Sequence, residues 1–194
     1  MQDAQDNGDL DRRLGQKLKA ARQARGWTLE DLAGRTGVSR AMVSRVERGE
    51  SSPTATLLMK LTTGLGISLS SLFGDRAAGG PVARRAEQPV WQDPASCYVR
   101  RNVSPAGSGS DINIVDVEVP AGARIVIDRS RPPGRTDQQV WVLDGVLELT
   151  LGAVTHRLET GDCLHMRLDQ PIAFHNPGTA PVRYAVVLMI SDGA

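Results

Sequence analysis

The 194-residue chain predicts two domains of opposite class, a bundle of five short helices followed by an all-β sandwich or barrel. Three observations carry that prediction. The stretch Thr28 to Gly49, TLEDLAGRTGVSRAMVSRVERG, has the apolar spacing and the end signals of two helices joined by a tight turn. Beyond Val90 the chain changes to short β-branched runs, roughly eight to twelve residues apart, broken by Gly, Pro, Asn and Asp. Between them GDRAAGGPVARRAEQP has no sustained apolar period and reads as a linker. The domains follow as a disordered polar arm over 1–9, the helical domain over 10–74, a linker over 75–89 and the β domain over 90–194.

The first helix runs from Leu10 to Arg25, with Leu14, Leu18 and Ala21 on one face; Gly26 ends it and Trp27 packs over the next helix start. Thr28 caps the second helix, and Asp31 three residues on completes a capping box. Leu29, Leu32 and Ala33 form its buried side. Gly37 is the turn residue, because so sharp a reversal needs a position free to take positive φ. Val38 plugs the angle between the helices, Ser39 caps the third helix, and Met42, Val43 and Val46 are its apolar side. Gly49, with Pro53 beyond, stops it. Thr54 caps a fourth helix with Leu57, Leu58 and Leu61 on its core face, broken by Gly64 and Gly66. Ser68 to Phe73 makes a fifth short helix or a single turn.

The outer face of the third helix carries Arg40, Ala41, Ser44 and Arg45, with Arg48 one turn later. Arg can grip guanine with two hydrogen bonds, Ser can donate or accept, and Ala can touch a thymine methyl. Ser39 and the helix N-terminus suit a phosphate oxygen. Charge points the same way. Leu10 to Lys60 holds eleven Lys or Arg against five acids, whereas Arg76 to the end holds twelve Arg and thirteen acids. With the net charge of the whole chain only +1, this asymmetry is the informative quantity: a basic module joined to a near-neutral one. Arg84 and Arg85 in the linker add a weak phosphate attraction or are simply solvated.

These residues resemble the DNA-binding domain of the XRE family, the phage-repressor type of helix-turn-helix protein. The matching stretch runs from Leu14 to Phe73 and includes RQARGWTLEDLAGRTGVSRAMVSRVERGESSPTATLLMKL. The resemblance implies five helices, a third helix in the major groove, and dimers that read paired half-sites of a double-stranded DNA operator. It also implies an ion pair between the first and third helices, here Arg22 with Glu47. Many phage repressors place a phosphate-binding Gln early in the second helix; this chain has Leu29. On this reading Arg40, Ala41, Ser44 and Arg45 read bases, while Ser39, Arg48 and Lys17 hold phosphates.

In the β domain the predicted strands are Ile112 to Val119, Ala123 to Ile127, Gln139 to Leu143, Val146 to Leu151, Cys163 to Leu168 and Val182 to Ile190. The segments PPGRTDQQVWVLDGVLELTLGAVTHRLETGD and GDCLHMRLDQPIAFHNPG resemble the paired motifs of the cupin fold, a jelly-roll barrel. Cupin enzymes generally hold a divalent metal through two His and a Glu of the first motif and a His of the second. Aligned on Gly145 and Gly161, those positions fall at or near Arg131 and Pro133, at Gln138 and at Ile172. Arg, Pro and Ile supply no usable donor and a Gln amide is a weak neutral one, so the reading assigns no metal, no cofactor and no catalytic residue. Of the three histidines, His156 is read as exposed, His165 as facing either the interior or solvent, and His175 as bonded to backbone beside its turn.

If the former ligand positions face inward, Gln138 and Ile172 line a cavity with Val140, Val142 and Phe174 for a small-molecule effector held without metal. Arg131 at its mouth would pair with an anionic group such as a carboxylate. The alternatives are a barrel filled by its own side chains that serves only dimerisation, with Arg129, Arg131 and Arg135 a solvated loop, and a metal-dependent cupin enzyme fused to a DNA-binding head. Cys97 and Cys163 are read as buried, reduced thiols. With no apolar run long enough to span a bilayer and no secretory h-region at the N-terminus, the protein reads as a cytoplasmic homodimeric regulator, more a repressor than an activator.

Overall fold

The computed structural model describes residues 2–67, 69–73, 80–108, 110–127, 135–168 and 170–191. The chain divides into two compact units, 1–73 and 74–194.

The first unit contains α1 (Gln2–Gln23), α2 (Leu29–Thr36), α3 (Arg40–Glu47), α4 (Ala55–Leu65) and α5 (Leu69–Phe73). The local signals act where the sequence places them. Thr28 accepts from the Asp31 amide while the Asp31 carboxylate accepts from the Thr28 amide, closing the capping box, and Thr54 caps α4 in the same way from its own side chain. Gly37 ends α2 in the left-handed region at φ 66°, which frees α3 to leave at a sharp angle with Val38 buried in the corner. The core gathers Leu14, Leu18, Leu32, Val43, Val46, Leu58, Leu61, Leu65 and Leu72, each 2% exposed or less.

Two departures have physical reasons. α1 begins at Gln2, where the sequence reading has a disordered arm over 1–9; acids suit the first turns of a helix, and Asp9 pairs with Arg12 and Arg13 one turn on. Gly64 does not break α4 but lies inside it, against α2. A Cβ there would come within 2.3 Å of Thr36 Cγ2, so this glycine sets how closely the two helices approach. Gly66, left-handed at φ 67°, is the residue that ends the helix. A second contact of this kind fixes α1 on α3: a Cβ on Gly15 would meet the Val46 carbonyl oxygen at 2.3 Å and that of Glu47 at 2.9 Å.

The first described element of the second unit is a 3₁₀ turn, Arg85–Glu87. Its strands are β1 (Val90–Gln92), β2 (Val99–Asn102), β3 (Ile112–Val119), β4 (Arg124–Ile127), β5 (Arg135–Asp144), β6 (Val146–Leu151), β7 (Val154–Glu159), β8 (Cys163–Arg167), β9 (Ile172–His175) and β10 (Val182–Ser191). They form an antiparallel six-stranded sheet, β1-β2-β3-β10-β5-β8, and an antiparallel four-stranded sheet, β4-β9-β6-β7. The barrel of the sequence reading is therefore a jelly roll of two sheets facing one another. Val115, Val117 and Val119 of β3, Val140 and Val142 of β5, Leu147 and Leu149 of β6, and Tyr184, Val186 and Leu188 of β10 point into it, following the two-residue strand period.

The first motif segment folds back on itself at one corner. Gly145, at φ 89°, turns β5 into β6, and its amide donates to Thr160 Oγ1 at 3.0 Å. Asn176 closes the other end. Buried to 1% exposure, it donates to the Val119 and Ala180 carbonyls and accepts from the Gly178 amide, so both polar atoms of its side chain are hydrogen-bonded inside the protein.

Candidate DNA-reading helix and jelly-roll interior

α3 has one face fixed and one face open. On the fixed face Val43 and Val46 are buried beside Glu47, which is itself only 7% exposed. Glu47 receives both prongs of the Arg22 guanidinium, Nε to Oε1 at 2.7 Å and Nη2 to Oε2 at 2.8 Å, and Arg22 Nη1 donates to the Trp27 carbonyl at 2.6 Å. The pairing keeps the Arg22 pKa above its already high ordinary value. The ion pair that the family resemblance implies is thus present, and it ties α1, the start of α2 and the end of α3 together. Trp27 lies against the guanidinium of Arg35, a residue of the last turn of α2, 4.2 Å from the ring centre, where the sequence reading set it over the start of that helix.

On the open face Arg40, Ala41 and Arg45 are exposed and Ser44 is half-buried. Arg40 has one distant partner, Glu30 at 3.8 Å, and both side chains are largely in water, so a competing phosphate or base edge can take the guanidinium easily. Ser39 Oγ accepts from the Met42 amide, which leaves its hydroxyl proton free to donate outward. Arg48 is differently placed. It pairs with both carboxylate oxygens of Glu50, at 2.7 and 2.6 Å, and donates to Ser44 Oγ. Before Arg48 holds a phosphate, or Ser44 reads a base, this small network must open; the sequence reading missed Glu50 as the competitor. Lys17 lies on α1, half-exposed.

In the β unit, Gln138, Val140, Val142, Ile172 and Phe174 are all buried, and the strand period places them on the inner faces. Phe174 of β9 stacks flat on Tyr184 of β10, ring centres 5.6 Å apart and planes 1° from parallel. Burial pushes the Tyr184 phenol far above its ordinary range. Arg131, read from sequence as the partner of an anionic group, lies outside the described residues, as do Pro133 and Arg129. The buried Gln138 and Ile172 offer a divalent ion one neutral amide oxygen and no imidazole or carboxylate, so these two positions do not fit the metal that cupin enzymes hold. Among the described residues no three His, Cys, Asp or Glu side chains cluster as metal ligands.

The histidines and cysteines refine the reading. His156 is exposed on the edge strand β7, as expected. His165 faces solvent, 3.5 Å from Asp137. His175 bonds through Nδ1 to Glu148 Oε2 at 2.9 Å rather than to backbone, because its strand partner across β6 is Glu148. Both cysteines are exposed, not buried. Cys163 shares the outward side of β8 with His165 and Arg167, and Cys97 sits in a tight turn at φ 57°.

The outer face of the six-stranded sheet holds the main exposed apolar surface of this unit. Ile112, Trp141 and Met189 are 50%, 49% and 41% exposed, and Met189 lies directly across from Ile112, Val187 from Ile114, and Ala185 from Trp141. A depression on this face is lined by Ile112, Val187 and Met189 together with Asp137, Gln139, His165 and Arg167. No described helix is long and apolar enough to cross a membrane.

Comparison with known proteins agrees with both halves. Residues 18–72 match a helix-turn-helix family model, and residues 116–190 match a cupin domain model. The HTH-type transcriptional regulator SutR of Escherichia coli is 30% identical over 184 residues, covering 91% of this chain and 94% of its own. An uncharacterized HTH-type transcriptional regulator of Mycobacterium tuberculosis, Rv0023, is 34% identical over 87 residues, 45% of this chain and 34% of that one. The crystal structure of a helix-turn-helix transcriptional regulator from Vibrio cholerae superposes with a TM-score of 0.77 at 24% identity, covering 95% of this chain and 99% of that one, and shows the same fold. With a helical head that presents a capped, basic α3 and a jelly-roll tail, the chain belongs to the XRE-type HTH transcriptional regulators that carry a C-terminal cupin domain.

Proposed function

We propose that this regulator binds its operator as a homodimer, represses from it, and releases or re-spaces its two heads when a small effector enters the cupin interior without a metal. The observation that carries the DNA half is the division of α3 into two faces. Its back is clamped by the buried Arg22–Glu47 pair, and its front offers Arg40, Ala41 and Arg45 to solvent with Ser44 beside them. Arg40, Ala41, Ser44 and Arg45 read base edges, and Ser39, Arg48 and Lys17 position the backbone. An effector that favours one placement of the two heads over another changes their fit to half-sites about one helical turn apart. The interior for it is lined by Gln138, Val140, Val142, Ile172 and Phe174.

Arg40→Ala is expected to lower specific operator affinity by roughly 1–3 kcal/mol while leaving non-specific binding and the fold nearly unchanged. Titration of the selected operator and a scrambled duplex, at matched salt, reads this directly. Equal affinity of the mutant and wild-type proteins for the operator would remove Arg40 from the reading set.

A second reading, a cupin unit that serves only to join two copies, is favoured by the exposed stripe of Ile112, Ile114, Trp141 and Met189. A second copy of the same sheet covers such a stripe isologously, with each Trp141 against apolar residues of its mate. Trp141→Glu is expected to shift the protein from dimer to monomer in sedimentation velocity at micromolar concentration and to weaken operator binding with it. A dimer unchanged by this substitution places the interface elsewhere. Thermal stabilisation by any metabolite separates the sensor from the pure dimeriser.

A further inference from the structure

The outer face of the six-stranded sheet sorts its chemistry from one strand to the next. Two neighbouring rows run through the registers of β3, β10, β5 and β8: Ile112, Met189, Asp137 and Arg167, then Ile114, Val187, Gln139 and His165. Each row passes from apolar side chains on β3 and β10 to an acceptor on β5 and a cation or imidazole on β8. Water alone favours polar residues at every position of an outer face. At strand spacings of about 4.8 Å a row spans roughly 14 Å, the scale of a small molecule. The depression on this face measures about 470 Å³ and is lined by all of these residues but Ile114. That volume falls within the span of roughly 300–1,000 Å³ typical of small-molecule sites.

The polar side of the depression sets opposite charges close together. Asp137 Oδ1 lies 3.5 Å from His165 Nε2 and 4.0 Å from Arg167 Nε. Asp137 is the anchored member, 26% exposed and with further contacts of its own, whereas the His165 and Arg167 side chains are 57% and 61% exposed. A contact this long between hydrated ions is weak, so the Arg167 guanidinium can turn its fork to another anion at little cost. A carboxylate accepts at about four positions, so Asp137 can take one more donor while keeping the partners it has. An anion at Arg167 and a cation at Asp137 are near enough for a single carbon to bear both. On the apolar side Ile112 and Met189, 50% and 41% exposed, gain from any apolar group that covers them.

We propose that this depression is a ligand site for an α-amino acid with an apolar side chain. Arg167 holds the α-carboxylate with His165 beside it, Asp137 accepts from the ammonium, and the side chain lies over Met189, Val187 and Ile112. Charge complementarity selects the zwitterion over either ion alone, and the apolar floor selects leucine, methionine or phenylalanine over glycine. The site is distinct from the interior, because Asp137 and Gln139 alternate with the buried Gln138 along β5 and face the other way. It therefore stands or falls independently of the interior effector.

The test is titration calorimetry on the full-length protein with leucine, methionine and phenylalanine. The deamino acid and the decarboxylated amine of each serve as probes with one charge, and glycine as the probe without a side chain. At least one of the three amino acids is expected to bind, with its two single-charge analogues and glycine at least tenfold weaker. Arg167→Met and Asp137→Asn should each weaken that amino acid at least tenfold, Met189→Ser should weaken it severalfold, and Arg157→Met on the other sheet should leave it unchanged. Arg167 is exposed and Asp137→Asn keeps its shape, so wild-type circular dichroism spectra are expected from both. Binding that survives Arg167→Met overturns the site. If Gln138→Leu abolishes that binding instead, the ligand lies in the interior, and the interior effector reading is supported as this one falls. If none of the amino acids binds the wild type, the proposal is overturned, while stabilisation by some other metabolite would leave the interior reading standing. A dimer that Met189→Glu converts to monomers in sedimentation velocity would then assign this face to a second copy of the chain.

Discussion

Glu47→Ala is expected to remove about 3–5 kcal/mol from the stability of the helical unit, the usual consequence of stripping one partner from a buried ion pair. The size follows from what is left behind. Arg22 does not lose its proton at any accessible pH, it is 8% exposed, and two of its nitrogens would face an empty site where the carboxylate accepted at 2.7 and 2.8 Å. Against a total domain stability of about 5–15 kcal/mol, such a loss takes much of the margin. Urea unfolding followed by circular dichroism at 222 nm reads this unit selectively, because every described α-helix lies between Gln2 and Phe73. Glu47→Gln, which keeps shape and one acceptor, should fall between wild type and alanine. The double change Arg22→Met with Glu47→Leu should recover most of the loss, since a buried pair replaced by apolar volume is often neutral or better. Recovery of stability without recovery of operator affinity would show that the pair's role is to aim α3. A cost below about 1 kcal/mol for Glu47→Ala would mean that water reaches Arg22 in solution and the pair is a surface one.

The helical unit was legible in the sequence because its signals are local. A capping box, a glycine in the left-handed region and a second cap lie within a dozen residues of one another, and each acts on backbone groups three or four positions away. The Arg22–Glu47 contact spans 25 residues, and only the family resemblance pointed to it. In the β unit the strands with alternating apolar residues, such as β3 and β6, appear where the pattern puts them. The ones not read from the pattern fail it for stated reasons. β7 is an edge strand with Leu158 its single buried residue. β1 and β9 span three and four residues, too short for a period to show. β2 turns Arg100 and Asn102 inward, the reverse of what a binary pattern expects. That last inversion also hid the most chemically distinctive pair of the interior, whereas Gln138, Val140, Val142, Ile172 and Phe174 could be named from sequence because family motifs fixed their parity. Glu50 went unread as a partner of Arg48 because an exposed acid two residues from an arginine carries no signal of its own.

Phe174→Ala is expected to destabilise the β unit by about 3–5 kcal/mol, the range for deleting a buried aromatic ring. Phe174 is 4% exposed, and its ring covers the face of Tyr184, so alanine removes the transfer free energy of the ring, the stacking contact and the support that holds the tyrosine in place. Near-ultraviolet circular dichroism, which reports packed tyrosine and tryptophan, follows this transition, and Val154→Ala at a 57% exposed position of β7 should stay within about 0.5 kcal/mol as the control. The magnitude bears on function, because it measures how completely the interior is packed by its own side chains. A loss at the upper end places Phe174 in a close-packed wall, with no room for an effector beside its ring. A loss below about 1 kcal/mol would mean the ring already borders open space, since truncating a side chain beside a void forfeits little packing. The cavity predicted from Gln138, Val140, Val142, Ile172 and Phe174 would then be open at Phe174, and effector binding should weaken in the same mutant. With the close-packed outcome, Phe174→Ala instead creates a cavity able to bind a small apolar molecule such as benzene, and that compound should stabilise the mutant and not the wild type.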